Sequence, residues 1–438
     1  MTSARTQAQR HRLLAPTRPT DPISVEHCSG AWIYKQDGSR YLDGSSGLVC
    51  VNIGHANPRV IEAMRAQAAT VSFAAPAAQW PARQLELVER LTRLVGRPQD
   101  SVALASSGTS AVEMAIALAR NIARAQNGPR RSHILTANLG YHGNSALTLG
   151  LSGHRRRRPR GEDGFGLAPA FPAPYPPSHG GCRCDAMCAE EVAAAIDKLG
   201  AENVAAVLIE PINGTTGGAF VPPEGYLRRL SDICRERGVL VIHDEVLTGL
   251  GRTGLPLASD RWVGAAPDIC VLSKGLGAGY VSAGAVLVAP EKAEYLGGAA
   301  SDPIPMMGTM TATPLQAAVC LAVLDELEAI GVFETKIRGD FIAHELSSAS
   351  AGFDMIRDIR GAGFFYGVEL RDGTLWQTIA EIERRGVLLY PFSGYRPDGG
   401  GEGLIVAPPL NVTESELQHL IYALVGAVSV VENESVLK

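Results

Sequence analysis

Between about residues 100 and 290 the chain repeats one rhythm: a short run of β-branched and other apolar residues, then a longer stretch with apolar positions every three or four. The runs at 133–137, 204–209, 239–243, 269–272 and 284–288 are nearly continuous in apolar residues, the pattern of strands buried on both faces. The segments 111–125, 189–199 and 226–237 read as helices. Alternation of this kind predicts βαβ units around a mostly parallel sheet. After Pro314 the texture changes. A long helix at 315–330 leads into a helix, strands within 355–370, a helix at 375–385, a short strand at 387–389, a glycine-rich loop and a final helix from about Thr413. Residues 71–325 are therefore expected to form a large domain and 326–438 a smaller α+β domain. Residues 23–70 are expected to join the smaller one through a hairpin turn at Lys35-Gln36-Asp37-Gly38. Residues 1–22 stand apart as an N-terminal arm.

Composition narrows the picture. The 438 residues include 48 Gly and 27 Pro, about 17% together, which is turn-rich but short of a low-complexity chain. With 46% hydrophobic and 19% charged residues, burial can offset conformational entropy, and disorder is excluded for most of the length. The net charge of −5 gives no reason to expect a nucleic acid or a membrane surface as partner. No apolar run reaches the roughly 18 residues that span a bilayer. Several of the eight cysteines sit in apolar runs such as Ile269-Cys270-Val271 and Val319-Cys320-Leu321, the usage of reduced, buried thiols. Arg5, Arg10, Arg12 and Arg18 precede any acid, but no amphipathic helix accompanies them, so a mobile arm is preferred to a transit peptide and a cytoplasmic enzyme is expected. The run HRRRRPR at 154–160 reads as a solvated surface loop. His179, Cys182, Cys184 and Cys188 are near one another, yet C-x-C-x3-C is not structural-zinc spacing, so a loop of reduced thiols without metal is expected.

Three places carry chemistry. Ser106-Ser107-Gly108-Thr109-Ser110-Ala111-Val112-Glu113 follows an apolar run and opens a helix. Small residues there let N–H groups and hydroxyls approach an anion at the positive end of the helix dipole; a plain Ser/Thr N-cap explains the run equally well. At 239–244 the sequence VLVIHD puts Asp244 at the carboxyl end of a buried strand, where open α/β sheets bind ligands. A carboxylate there needs a positive partner. Lys274, in Ser273-Lys274-Gly275-Leu276-Gly277-Ala278-Gly279, follows the next buried strand, an odd place for a solvated ammonium but a suitable one for a nucleophilic amine. An acid, a lysine and an anion cradle together match pyridoxal 5'-phosphate: the acid for its ring nitrogen, the lysine for its aldehyde and the cradle for its phosphate.

The segments AVLIEPINGTTGG, GVLVIHDEVLTGLGRTG, DICVLSKGLGAGY and GTMTATPLQAA, with YLDGSSGLVCVNIGHANPRVIEA and APPLNVTESEL near the ends, resemble class III, subgroup II, pyridoxal-phosphate aminotransferases over about residues 23–430. The resemblance implies an α/β fold of the fold type I transferases, with a large cofactor-binding domain and a smaller α+β domain. It implies that Lys274 forms the Schiff base with the cofactor and then shuttles the proton between substrate Cα and C4′. Asp244 would pair with the pyridinium nitrogen, Tyr141 stack on the ring and Val246 pack on its other face. Ser107, Gly108 and Thr109 match the phosphate turn, and Thr309 matches a phosphate contact supplied by the neighbouring subunit, which makes the active enzyme a homodimer. Glu210 and His142 match supporting positions, and Glu245 reads as a structural acid.

Departures from the family pattern bear on the substrate. In ornithine- and GABA-type members an Arg in R-F-x-P-P-L pairs with a Glu after the E-P motif; Ile405 and Thr215 stand at those places here. Leu247 stands where many members have Gln. These changes point toward amine or ω-amino-acid donors with a 2-oxo acid, aldehyde or ketone acceptor. Val49 replaces a Trp that some of that group carry, and Tyr390 a mobile Arg. A smaller residue at 49 is expected to widen the pocket for bulkier amines, and Val49, Tyr390 and Arg252 are the candidate substrate contacts. Epimerases, racemases and aminomutases of the same fold also keep Lys274 and Asp244. A non-catalytic protein retaining the fold has no evident reason to keep both.

Overall fold

The computed structural model describes residues 23–75, 79, 82–154, 170–171, 187–297, 308–331, 336–396 and 398–436. The predicted hairpin is present: β1 (Val25–Ser29), β2 (Trp32–Lys35) and β3 (Arg40–Asp43) pair antiparallel. Its turn is closed by Gly38 N donating to Lys35 O at 3.0 Å, with Gly38 at φ +80°, a conformation that costs glycine least.

The central sheet holds seven strands: β4 (Ser101–Ala105), β5 (His133–Ala137), β6 (Ala170–Phe171), β7 (Val204–Ile209), β8 (Leu240–Asp244), β9 (Ile269–Leu272) and β10 (Gly284–Val288). They lie in the order β4-β10-β9-β8-β7-β5-β6. β10 is antiparallel to both neighbours, whereas the β9-β8-β7-β5-β6 run is parallel throughout. The sheet is thus mixed, and β4, two reversals from β9, points the same way as the parallel strands. β7, β8, β9 and β10 are buried at every residue, as their unbroken apolar runs require.

The helix Gly108–Asn127 packs across this sheet with Ala111, Val112, Ala115, Ile116, Ala119 and Ile122 buried at three- and four-residue spacing. Full burial of Ile116 or Ile122 is worth about 1.5–3 kcal/mol each. Ser107 caps its start, its Oγ accepting from Ser110 N while Ser110 Oγ accepts from Ser107 N. The helix Pro314–Ile330 is capped in the same reciprocal way by Thr313 and Gln316 and stops at Gly331, φ +68°; both helices match their sequence patterns.

A third sheet contains β11 (Ile356–Ala362), β12 (Phe365–Leu370), β14 (Tyr390–Ser393) and β15 (Glu402–Val406), antiparallel in the order β11-β12-β15-β14. The short β13 (Val387–Leu388) instead pairs parallel with β3, so the hairpin near the start of the chain is completed by residues near its end. The helix Glu414–Val436 closes the fold.

Five cysteines among the described residues, Cys28, Cys50, Cys234, Cys270 and Cys320, are free thiols. Cys188 is disulfide-bonded, against the expectation of a reduced cluster; spacing alone does not show which thiols a loop brings together. His179, Cys182 and Cys184 lie outside the described residues, as do residues 1–22 and 155–160. Of the basic run, His154 is described and is buried rather than solvated, its Nε2 3.0 Å from Ser393 O.

Candidate active site

The carboxyl ends of β4, β5, β7, β8 and β9 converge on one cleft of about 300 Å³. Parallel strands present their free ends, and the loops that follow them, on one edge of the sheet. Ser107, Gly108 and Thr109 come from the turn after β4, Tyr141 and His142 from the loop after β5, Glu210 from the end of β7, Asp244 from the last residue of β8, and Lys274 from just beyond β9. All eight line the cleft, together with Val246 and Tyr390. Lys274 has φ +36°, a left-handed backbone that a non-glycine residue adopts at a cost of order 1–3 kcal/mol and that clusters at functional sites.

Behind the cleft lies a buried polar network. Asp244 Oδ2 is 2.8 Å from His142 Nδ1, and Asp244 Oδ1 accepts from Val246 N at 3.1 Å. The side chain of His142 is fully buried and that of Asp244 5% exposed. His142 N donates to Ser152 Oγ at 3.1 Å, fixing the backbone that carries the ring. Glu210 accepts three hydrogen bonds: Oε2 from Tyr141 N (3.2 Å) and Asn213 Nδ2 (3.1 Å), Oε1 from Gly214 N (3.0 Å). Burial pushes its carboxyl up to about 7; Asp244 pushes the same way, and His142 opposes both. Glu245 points away from this network. Its carboxylate accepts from Thr248 Oγ1, Ala258 N and Ser259 N, the structural acid that the sequence suggested.

The turn at 106–110 is built for close approach. A Cβ on Gly108 would lie 3.2 Å from Val246 Cγ1 and 3.3 Å from Ser273 Cβ and Oγ, so only glycine brings the helix start against the strand ends without a shift. The Ser107–Ser110 box satisfies its own donors. The N–H groups of Gly108 and Thr109 remain beside the positive pole of a 20-residue helix. Thr109 Oγ1 is tied to Asn144, 3.1 Å from Oδ1. An anion cradle, a lysine and a buried acid thus face one space, the donor set that pyridoxal phosphate requires.

The substrate side differs from the expectation. Val49 is 1% exposed and packs into the apolar core; the residue facing the cleft is Leu48, 61% exposed. Ser46, Gly47 and Val49 have φ of +48°, +64° and +58°, and these left-handed steps turn Leu48 outward. Arg252 is not on the cleft. It is completely buried, with Nη1 donating to Phe364 O and Pro408 O and Nη2 to Ser46 Oγ and Asn52 Oδ1, so both terminal nitrogens are engaged by protein while Nε has no hydrogen-bond partner among the described residues. Of the three family departures, Thr215 and Leu247 line the cleft and Ile405 is buried in β15. No arginine lines the cleft among the described residues. Thr309 lies on an exposed turn outside the lining, closed by Thr311 N donating to Gly308 O at 3.0 Å.

Leu48, Asn144 and Ser273 also line the cleft and escaped sequence reasoning. Ser273 and Asn144 had a signal, since each adjoins a singled-out motif; Leu48 had none, because its outward turn depends on backbone angles.

A family model described as "Aminotransferase class-III" matches residues 15–428. The uncharacterized aminotransferase YodT of Bacillus subtilis (strain 168) is 33% identical over 427 residues, covering 93% of this chain and 95% of its own. An amine transaminase from an uncultivated Pseudomonas species, in its PLP-bound form, superposes with TM-score 0.85 at 30% identity, over 95% of this chain and 97% of its own. A thermostable (S)-enantioselective omega-transaminase from Thermomicrobium roseum does so with TM-score 0.86 at 30% identity, over 98% and 99%.

Proposed function

We propose that this chain, which belongs to the class-III aminotransferase family, moves an amino group from an amine or ω-amino-acid donor to a 2-oxo acid or other carbonyl acceptor, with pyridoxal phosphate as cofactor. The observation that carries the reading is the convergence of Lys274, Asp244 and the Ser107–Thr109 turn on one cleft. When bound, the cofactor supplies an aldehyde that captures amines and a ring that takes up the electrons released at the substrate carbon. Lys274 would bind that aldehyde and carry the proton at Nζ. Asp244 would pair with the ring nitrogen and hold its proton, and His142, itself fixed at Ser152, keeps Asp244 in place. Tyr141 and Val246 would bound the ring space, and the Gly108 and Thr109 N–H groups would meet the phosphate.

Donor recognition rests on Leu48, Leu247, Thr215 and Tyr390. With no arginine on the described lining, an apolar amine is favoured over a donor that needs a fixed carboxylate clamp. The exposed Thr309 turn is proposed to reach the phosphate of a second copy in a homodimer. The large cofactor-binding and smaller α+β domains remain the proposed organisation, supported by the three separate sheets. A cytoplasmic setting is supported by the five free cysteines, and the Cys188 disulfide speaks against it. No helix among the described residues is long and apolar enough to cross a membrane.

The test is a donor and acceptor panel on the purified protein, followed through the cofactor's absorbance. Amines should bleach the resting band and pyruvate or 2-oxoglutarate should restore it. A band unchanged by every amine refutes the transaminase reading of this site.

A further inference from the structure

Arg252 sits where two parts of the cleft meet without itself entering it. Its Nη2 donates to Asn52 Oδ1 at 2.7 Å and to Ser46 Oγ at 3.2 Å, and its Nη1 donates to Pro408 O at 2.6 Å and Phe364 O at 3.2 Å. No carboxylate lies within ion-pair distance among the described residues, so the cation is held by carbonyls, a hydroxyl and an amide. Burial lowers it to about 10, and it remains charged at neutral pH.

The two Nη2 partners lead in different directions. Accepting at Oδ1 orients the amide of Asn52 so that Nδ2 faces Gly275, where an added Cβ would come within 2.4 Å of it. Gly275 directly follows Lys274. Ser46 begins the left-handed run that turns Leu48 into the cleft, and Ser46 Oγ also donates to Ala407 O at 2.7 Å. Its neighbour Ser45 accepts from Tyr390 N at 2.9 Å and donates to Ile405 O at 2.5 Å. One planar guanidinium thereby spans the lysine turn and the wall formed by Leu48 and Tyr390, a fork geometry that a lysine ammonium does not reproduce.

We infer that Arg252 is a positioning residue that sets the distance between the Leu48–Tyr390 wall and Lys274, and so governs which donor sizes are accepted. It acts through Ser46 and Asn52 and contacts no substrate. The inference rests on the transaminase reading above.

The experiment compares holoenzyme preparations of wild type, Arg252→Lys and Ser46→Ala on a small and a bulky primary amine, with kcat/KM for each and the cofactor affinity measured in parallel. In Arg252→Lys the ratio of the two kcat/KM values should shift about tenfold toward the bulky amine, with cofactor affinity within about threefold of wild type. Ser46→Ala keeps the buried cation and its other three bonds, and it should shift the ratio the same way by about threefold. A wild type that turns over both amines, with the ratio unchanged in every variant that folds, overturns the assignment of Arg252, whether the activities are retained or fall uniformly. If Arg252→Lys does not fold, an unchanged ratio in Ser46→Ala alone overturns it. A wild type that turns over neither amine removes the transaminase reading and this inference with it.

Discussion

Glu210→Gln isolates a carboxyl that is buried against the cleft. Burial raises it from 4.5 to about 7, so between these values the folded protein keeps a proton that the unfolded chain has released. Unfolding in that window releases a proton, and stability falls as pH rises. Glu210 therefore contributes most below pH 4.5, and its contribution is lost by the time pH has passed about 7. At about 1.36 kcal/mol per pH unit, the loss amounts to about 3 kcal/mol. Gln cannot titrate, so it lacks this slope. It carries a different cost: all three groups around Glu210 are N–H donors, and the Gln amide nitrogen meets at least one of them, at about 1–3 kcal/mol regardless of pH. The informative quantity is thus the change in the wild-type-minus-variant difference with pH. Denaturant unfolding of both proteins at matched, saturating cofactor should show the wild type losing about 3 kcal/mol relative to Glu210→Gln between pH 4.5 and 7. A difference constant to within about 1 kcal/mol across that range would refute the argument that burial dominates over the three donors.

Three further substitutions test the cofactor site. Lys274→Ala should lower donor turnover by at least about 10²–10⁴, the usual worth of a positioned proton carrier, and abolish the cofactor's resting absorbance band; turnover within tenfold of wild type removes Lys274 from its role. Gly108→Ala pushes a methyl against Val246 Cγ1 and Ser273, and cofactor titration should show about tenfold weaker binding, about 1.4 kcal/mol; unchanged affinity would mean the cradle lies elsewhere. Thr309→Ala should weaken cofactor binding about fivefold, one hydrogen bond's worth, without altering the protein's sedimentation. An unaltered affinity would dismiss the cross-subunit contact.

Legibility followed locality. β5, β7, β9 and β10 coincide with their predicted runs and β8 is displaced by one residue, because continuous apolar stretches between polar ends leave few alternative registers. Asp244 and Lys274 were readable for the same reason, each being a polar residue at the end of such a run. The order of strands was not readable: nothing local tells β10 to insert antiparallel between β4 and β9. Val49 was expected at the cleft because the resemblance sets it at the place of a Trp, and Leu48 faces it instead because Ser46, Gly47 and Val49 all take positive φ, which no local pattern in the sequence shows. Arg252 was misassigned for a third reason. A charged residue in a glycine-rich loop reads as solvent- or ligand-facing, and its four acceptors belong to residues distant in sequence.

The pairing of β13 with β3 ties the order of synthesis to the order of assembly. Ser45, whose hydroxyl anchors the cleft wall, donates to Ile405, 360 residues further along the chain. A nascent chain can emerge with the whole central sheet translated and still lack the C-terminal partners of its N-terminal hairpin. The outer edge of β3 and the Ser45 hydroxyl must wait for these partners through most of translation, and contacts of such long range are slow to close. The contact between Ser45 and Tyr390 that holds the substrate wall therefore cannot form before residue 390 has been made. A chain truncated just before residue 387 would keep Lys274, Asp244 and Leu48 but lose Tyr390 and with it one side of the cleft wall.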